Sequence, residues 1–344
     1  MSIISEIEDQ KMDKKRNHSS KSHEDVEGEP VAKKSRLVFK TIIYDESIPN
    51  QWLDEPPLEI WDHHLIPLLG LKDLALARPV CTFFEAYWQD KFSNNVLPLR
   101  VGNDVATIDD VMGVIEILSS RREYTKLNPC VVLLGKGDHQ ITSSWTDEDG
   151  DEVETTLGIT CSNITFVGIG KDITTILGGF GIDNIENIMF KNMTVTNTNG
   201  QGICMSNAKV ELFDVALNGC NSCDSCALYI PNSSSVATTV AATRCEFANS
   251  QDGAIVCGSL TSATFKNCVF NDNSGDGMFV SIKATIHLHG EATAIRSNRR
   301  FGISVWSSGA KVLIHLPSHH NTSYNNGQGD RHTIVGGTIT NVED

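Results

Sequence analysis

From Gly202 onward the chain alternates apolar and polar positions in short runs, and the runs recur. Gly202-Ile-Cys-Met, Ala227-Leu-Tyr-Ile, Gly253-Ala-Ile-Val, Gly277-Met-Phe-Val and Gly302-Ile-Ser-Val begin 24 to 26 residues apart. Alternation over four or five residues is the signature of a strand rather than a helix. A fixed period of this size predicts a stacked solenoid in which every coil places a strand at the same angular position, about 4.8 Å above the last. The pattern puts Ile203, Leu228, Ala254, Met278 and Ile303 inside. It puts Cys204, Tyr229, Ile255, Phe279 and Ser304 outside, with Pro231, Cys257 and Trp306 further along that outer face.

A second set of runs follows the same register. Phe190–Val195, Phe213–Leu217, Arg244–Phe247 and Phe265–Phe270 align, so that Met193, Val215, Cys245 and Cys268 share one inward column and Val195, Leu217, Phe247 and Phe270 the next. Asn197, Asn218, Asn249, Asn271 and Asn298 come after them and are expected to turn the chain. Asparagine tolerates the left-handed backbone and can bond to its own copy one rung away.

Before the repeats, Val105–Leu118 reads as an amphipathic helix with Thr107 as its N-cap and acids in its first turn. Val131–Leu134 and Gly137–Ile141 then read as a buried strand and a tight turn. Helix, strand and Gly-x-Gly-x-x-x-Ile together resemble the opening coil of pectate-lyase-like β-helices, where the helix plugs the end of the stack. The repeats read as a parallel β-helix over residues 100–344; its right-handedness is what the resemblance to known parallel β-helices implies, not the spacing. The acidic run Asp147–Glu152 lacks the later bidentate glutamate of a calcium loop and is expected to be a solvated hairpin.

The N-terminal third is different. Residues 1–45 mix charges and carry few aromatics, which predicts a disordered tail. Within it Lys11, Lys14, Lys15 and Arg16, then Lys33, Lys34 and Arg36, form basic clusters similar to a nuclear import signal. In 54–95, Leu74, Ala77, Val80, Phe83, Phe84 and Tyr87 recur at helical spacing, which predicts a small helical segment. Pro57-Leu58-Glu59-Ile60, Leu65–Leu74 and Arg78–Phe84 in that segment resemble an F-box. The resemblance implies docking on the linker subunit of a cullin-type ubiquitin ligase through Pro57, Leu58, Ile60, Leu65, Leu68, Leu74 and Val80. A helical cap for the solenoid is the alternative reading of the same segment.

Bulk properties narrow the classes. The 344 residues are 40% hydrophobic, enough for a substantial core, and the net charge of −15 argues against a nucleic-acid partner. No run approaches 18 apolar residues and the first residues lack a signal-peptide pattern, so an intracellular protein, cytoplasmic or nuclear, is expected. The ten cysteines then read as thiols. Cys220, Cys223 and Cys226 have the spacing of metal ligands but no evident fourth partner, and a plain cysteine-rich turn is the simpler reading.

Three features carry candidate chemistry. Asp252 and Asp276 precede aligned glycines and should stack one rung apart, with Arg296, Arg299 and Arg300 one coil later. They could form an acid pair for polyuronate chemistry, although Asp-Gly is also a common turn. His287 and His289 should face out, with His315 stacked on His289; such a trio could hold a metal or simply be surface histidines. The apolar lane Tyr229, Ile255, Phe279 and Trp306 reads as a target-binding face. No catalytic residue, metal or cofactor is assigned. The combination points to a substrate-recruiting ligase adaptor whose β-helix binds a protein target. The alternatives are a carbohydrate-active β-helix protein (polyuronate lyase, glycosidase or glycan binder) and a non-catalytic interaction scaffold.

Overall fold

The repeat seen in the sequence becomes a stack of parallel strands in a computed structural model, which describes residues 98–343 apart from 121, 148–149, 222–225, 233–235, 316 and 318–321. The tail 1–45 and the segment 54–95, with every F-box-like position from Pro57 to Val80, lie outside the described residues, as does Cys223. Two parallel sheets build the solenoid. One has eight strands, running in order from Thr156–Ile159 through Gly179–Asp183, Ile203–Ser206, Cys226–Ile230, Asp252–Cys257, Met278–Ser281 and Phe301–Val305 to Gly329–Thr333. The other has sixteen strand segments, because each coil contributes strands on both sides of a bend. Its long members, Ile188–Thr196 and Lys209–Asn218, pair over their length, and later coils break the same path into two strands such as Thr238–Thr243 and Glu246–Ala248.

The expected register holds rung by rung. Ile203 pairs with Leu228, Leu228 with Ala254, Ala254 with Met278 and Met278 with Ile303, and all five are fully buried. The columns Met193–Val215–Cys245–Cys268 and Val195–Leu217–Phe247–Phe270 are likewise interior. Aromatic rings stack along the solenoid axis inside the core. Phe166 lies on Phe190 with centroids 5.3 Å apart, and Phe247 lies on Phe270 at 4.5 Å with Phe265 edge-on. Each such ring contributes about 2 kcal/mol or more by burial alone.

Turns depart from the expected asparagine column in an instructive way. Asn298 is not the copy of Asn271; Arg296 is. Left-handed backbone falls on Asn249, as expected, and on Gly219, Asp272, Ser297 and Asn325, so small and Asx residues share that corner. One step inward runs a buried ladder. The Asn273 amide donates to Asn298 Oδ1 at 2.8 Å, Asn298 to Asn326 Oδ1 at 2.9 Å and Asn326 to Asp330 Oδ1 at 2.9 Å. The backbone N–H groups of Cys220, Ser250, Asn273 and Asn298 donate to the side-chain oxygen of the next rung. Side chains thus satisfy main-chain groups that the bend removes from the strand ladder.

The two ends of the described stack differ. The helix Asp110–Ser119 buries Val111, Met112 and Ile115. Thr107 and Asp110 form a reciprocal cap at its start, the Thr107 N–H donating to the Asp110 carboxylate and the Asp110 N–H reaching Thr107 Oγ1. Asp109 ties the helix to the first coil, accepting from the N–H and hydroxyl of both Thr142 and Ser143. At the other end the inward position of Ile303 is taken by exposed Arg331, and that of Ile314 by exposed Asn341, so the final coil offers a polar surface. No helix among the described residues is long and apolar enough to cross a membrane.

Candidate functional site

On the eight-stranded sheet the outward residue of each rung forms one lane. The register runs Gly158, Gly181, Cys204, Tyr229, Ile255, Phe279, Ser304 and His332. Tyr229, Ile255 and Phe279 are half-buried, each shielded on both sides by its rung neighbours. A parallel lane two positions on holds Cys257, Ser281 and Trp306; Trp306 is exposed, and its ring leans toward Phe279 with centroids 5.6 Å apart. Its indole N–H donates to Ser304 Oγ at 2.6 Å, which explains why Ser304, outward by pattern, is fully buried.

The far end of the lane is closed by a residue the sequence reading did not place there. An antiparallel hairpin, Trp145–Thr146 with Glu152–Val153, flanks the acidic run, as expected. Trp145 from this hairpin lies against Gly158 and Gly181. A Cβ at either glycine would come within 2.6 Å and 2.1 Å of its ring, so only glycine lets the indole seat on the sheet. The signal in the sequence was the pair of glycines at lane positions that later coils fill with side chains. The lane therefore runs from Trp145 over bare backbone, across Tyr229, Ile255 and Phe279, to Trp306.

Charged groups border the lane where its strands begin. Asp252 and Asp276 stack one rung apart, as the spacing implied, and both bond to the chain above. The Asp276 N–H donates to Asp252 Oδ1 and the Phe301 N–H to Asp276 Oδ1. Arg300 alone of the three arginines approaches the pair, with Nε 3.8 Å from Asp276. Burial pushes the Asp252 carboxyl above its ordinary range, the negative charge of Asp276 adding to it against the Asp276 N–H and Arg300. Burial also raises Asp276, opposed by the Phe301 N–H, Arg300, His332 and Ser304. Phe301 stacks on His332 at 4.2 Å, setting that imidazole at the lane's edge. The border thus offers carboxyl groups held partly against ionisation, one guanidinium and one imidazole, a set able to exchange hydrogen bonds with hydroxyl-rich ligands.

The other candidates separate. Cys220 and Cys226 are buried, and burial pushes the Cys220 thiol up to about 11 and raises Cys226 well above the ordinary thiol range; Cys223 lies outside the described residues. The histidines do assemble, on the other sheet. His289 and His315 stack at 4.0 Å, and His287 Nδ1 lies 3.0 Å from His315 Nε2. Partial burial and the neighbouring His315 lower the pKa of His287.

No family model matches the chain, and no curated protein matches it. Among solved structures it is similar in fold to the A-module of the Azotobacter vinelandii mannuronan C-5 epimerase AlgE6. The identity is 14%, with 70% of this chain and 84% of that one covered and a TM-score of 0.41. It is also similar to ORF18 of Geobacillus virus E2, at 12% identity over 63% of this chain and 54% of that one, with a TM-score of 0.36. The A-module of the epimerase AlgE4 gives 11% identity over 73% and 98%, with a TM-score of 0.22. At these identities the likeness is one of fold.

Proposed function

We propose that this protein is a glycan-binding β-helix and that its outer aromatic lane is the binding face. One observation carries the reading: an in-register lane, Tyr229–Ile255–Phe279, is closed by a tryptophan at each end and bordered by Asp252, Asp276, Arg300 and His332. Flat aromatic faces pack against the C–H faces of sugar rings, while the border groups bond to their hydroxyls. A lane that repeats at every rung suits a ligand that also repeats along one axis. The bond from Trp306 to Ser304 holds the indole in place before any ligand arrives, which lowers the ordering cost of binding.

Affinity electrophoresis of the full chain through gels containing single linear polysaccharides, neutral and polyuronate, tests this reading. Retardation by at least one polymer supports it, and unchanged mobility in all of them contradicts it.

The ligase-adaptor reading rests on the F-box-like wording of 57–84, and the apolar lane favours it to the extent that the same face could hold a protein target. Recovery of a cullin-ligase linker subunit with the full chain, lost on Leu74→Asp, would support that role. Failure to recover it would leave the glycan reading alone.

A further inference from the structure

The sixteen-stranded sheet carries a second arrangement that the aromatic lane does not use. His287 and His289 alternate on one strand, Thr285–His289, and so share its outer face. His315 ends the next rung, Lys311–His315, directly above His289 in the register. Stacking therefore brings three imidazoles together from two coils. One ligand nitrogen from each lies within 4.8 Å of the others, and all three side chains are half-buried. Burial at that level fixes the rings yet leaves solvent access for an ion.

We propose that His287, His289 and His315 form a binding site for one divalent transition-metal ion of the zinc class. Two nitrogens on a tetrahedral zinc, each about 2.0–2.1 Å from the ion, stand about 3.3 Å apart. The 3.0 Å between His287 Nδ1 and His315 Nε2 is already close to that value. The rings of His289 and His315 are stacked 4.0 Å apart and parallel within 14°, so both side chains must rotate out of the stack to share an ion. Three neutral nitrogen donors without a carboxylate select zinc, copper, nickel or cobalt over calcium and magnesium, which require oxygen. The fourth position is open to water or to an outside ligand. Ligands from adjacent rungs would make the ion a staple across the strand pair, binding the folded coil and not the unfolded chain.

The test uses the full chain without a polyhistidine tag, stripped with a chelator and titrated with zinc in a calorimeter and with cobalt in a spectrophotometer. The site predicts one zinc per chain, bound at least 100-fold more tightly than to a variant with all three histidines changed to glutamine. Changing His319 and His320 to alanine should leave that affinity within about threefold, an order-of-magnitude allowance for a neighbouring change. His289→Cys should keep cobalt binding and add a thiolate-to-cobalt charge-transfer band, which decides the matter if the triple variant does not fold. Absence of a stoichiometric zinc, affinity unchanged in the folded triple variant, loss that follows His319 and His320, or a His289→Cys protein without the new band would each overturn the proposal.

Discussion

Trp306 hands its indole N–H to the Ser304 hydroxyl at 2.6 Å, and Ser304 is among the groups that hold the Asp276 pKa down against burial. These contacts link the exposed aromatic end of the lane to its acidic border. The aromatic end and the charged edge are therefore one unit, positioned by two consecutive coils. Its individual contacts make separate predictions.

Gly181 is the seat of Trp145. In Gly181→Ala the new methyl would meet the indole ring at 2.1 Å, and the hairpin must lift. The expected loss is about 1–3 kcal/mol of stability in urea unfolding. Trp145→Ala removes the clash, so the double variant should be no less stable than Trp145→Ala alone within about 0.5 kcal/mol. Simple additivity would show that the hairpin does not rest on this glycine.

Asp109 joins the end helix to the first coil. Its pKa is lowered: burial would raise it, but the bonds from Thr142 and Ser143 outweigh that. A depressed carboxylate contributes stability above its unfolded pKa and loses it as pH falls through the folded value. Asp109→Asn should therefore cost about 1 kcal/mol at pH 7, a modest figure because the group is partly solvated, and much less at pH 3 and below. Thermal melts across pH check this; an equal loss at both ends would place the effect elsewhere.

Asp252 and Asp276 have the opposite sign. Their folded pKa values are raised, so the stability they give is present below the unfolded value and is lost as pH rises through the folded one. Asparagine keeps the oxygen that accepts the N–H of the next rung and removes the buried charge. The double change Asp252→Asn with Asp276→Asn should raise the melting temperature at pH 7 and have little effect at pH 3. A lower melting temperature at pH 7 would mean that Arg300 stabilises the charges more than burial penalises them.

Asn298 sits mid-ladder, bonded to Asn273 below and Asn326 above and fully buried. Asn298→Leu removes the acceptor of the Asn273 backbone N–H and one of the two acceptors of its side-chain amide, which keeps the Phe247 carbonyl. A loss of about 2 kcal/mol or more is expected in denaturant unfolding, since a buried N–H loses its acceptor and the side-chain ladder is cut. A loss under about 1 kcal/mol would mean that water substitutes for the amide.

The strands, their register and the inward columns were legible in the sequence because a solenoid repeats one decision many times. An error at Ala254 would have shown at Leu228 and Met278. The pairing of Asp252 with Asp276 and of His289 with His315 followed from that register. Corners were less legible. Asn271 and Asn298 look like one column, yet the first ends a strand and the second belongs to the buried ladder with Asn273 and Asn326. Coil lengths vary by a residue or two at those bends, and counting along the chain cannot place an insertion. Ser304 was hidden for another reason: a neighbour two residues away, Trp306, folds back over it. Trp145 comes from outside the repeat altogether, so no periodicity could bring it to the lane; only the glycines at 158 and 181 marked its place.

The central claim concerns the lane itself, and one titration tests it most directly. A polysaccharide that retards the full chain is titrated calorimetrically into the native protein and into a variant carrying Tyr229→Ala, Phe279→Ala and Trp306→Ala. The side chains removed are half-buried or exposed, and circular dichroism confirms that the coil stack survives. The account predicts an affinity reduced about 100-fold or more, equivalent to about 2.7 kcal/mol shared among three aromatic contacts. Equal affinity in the two proteins, with the variant folded, would contradict it.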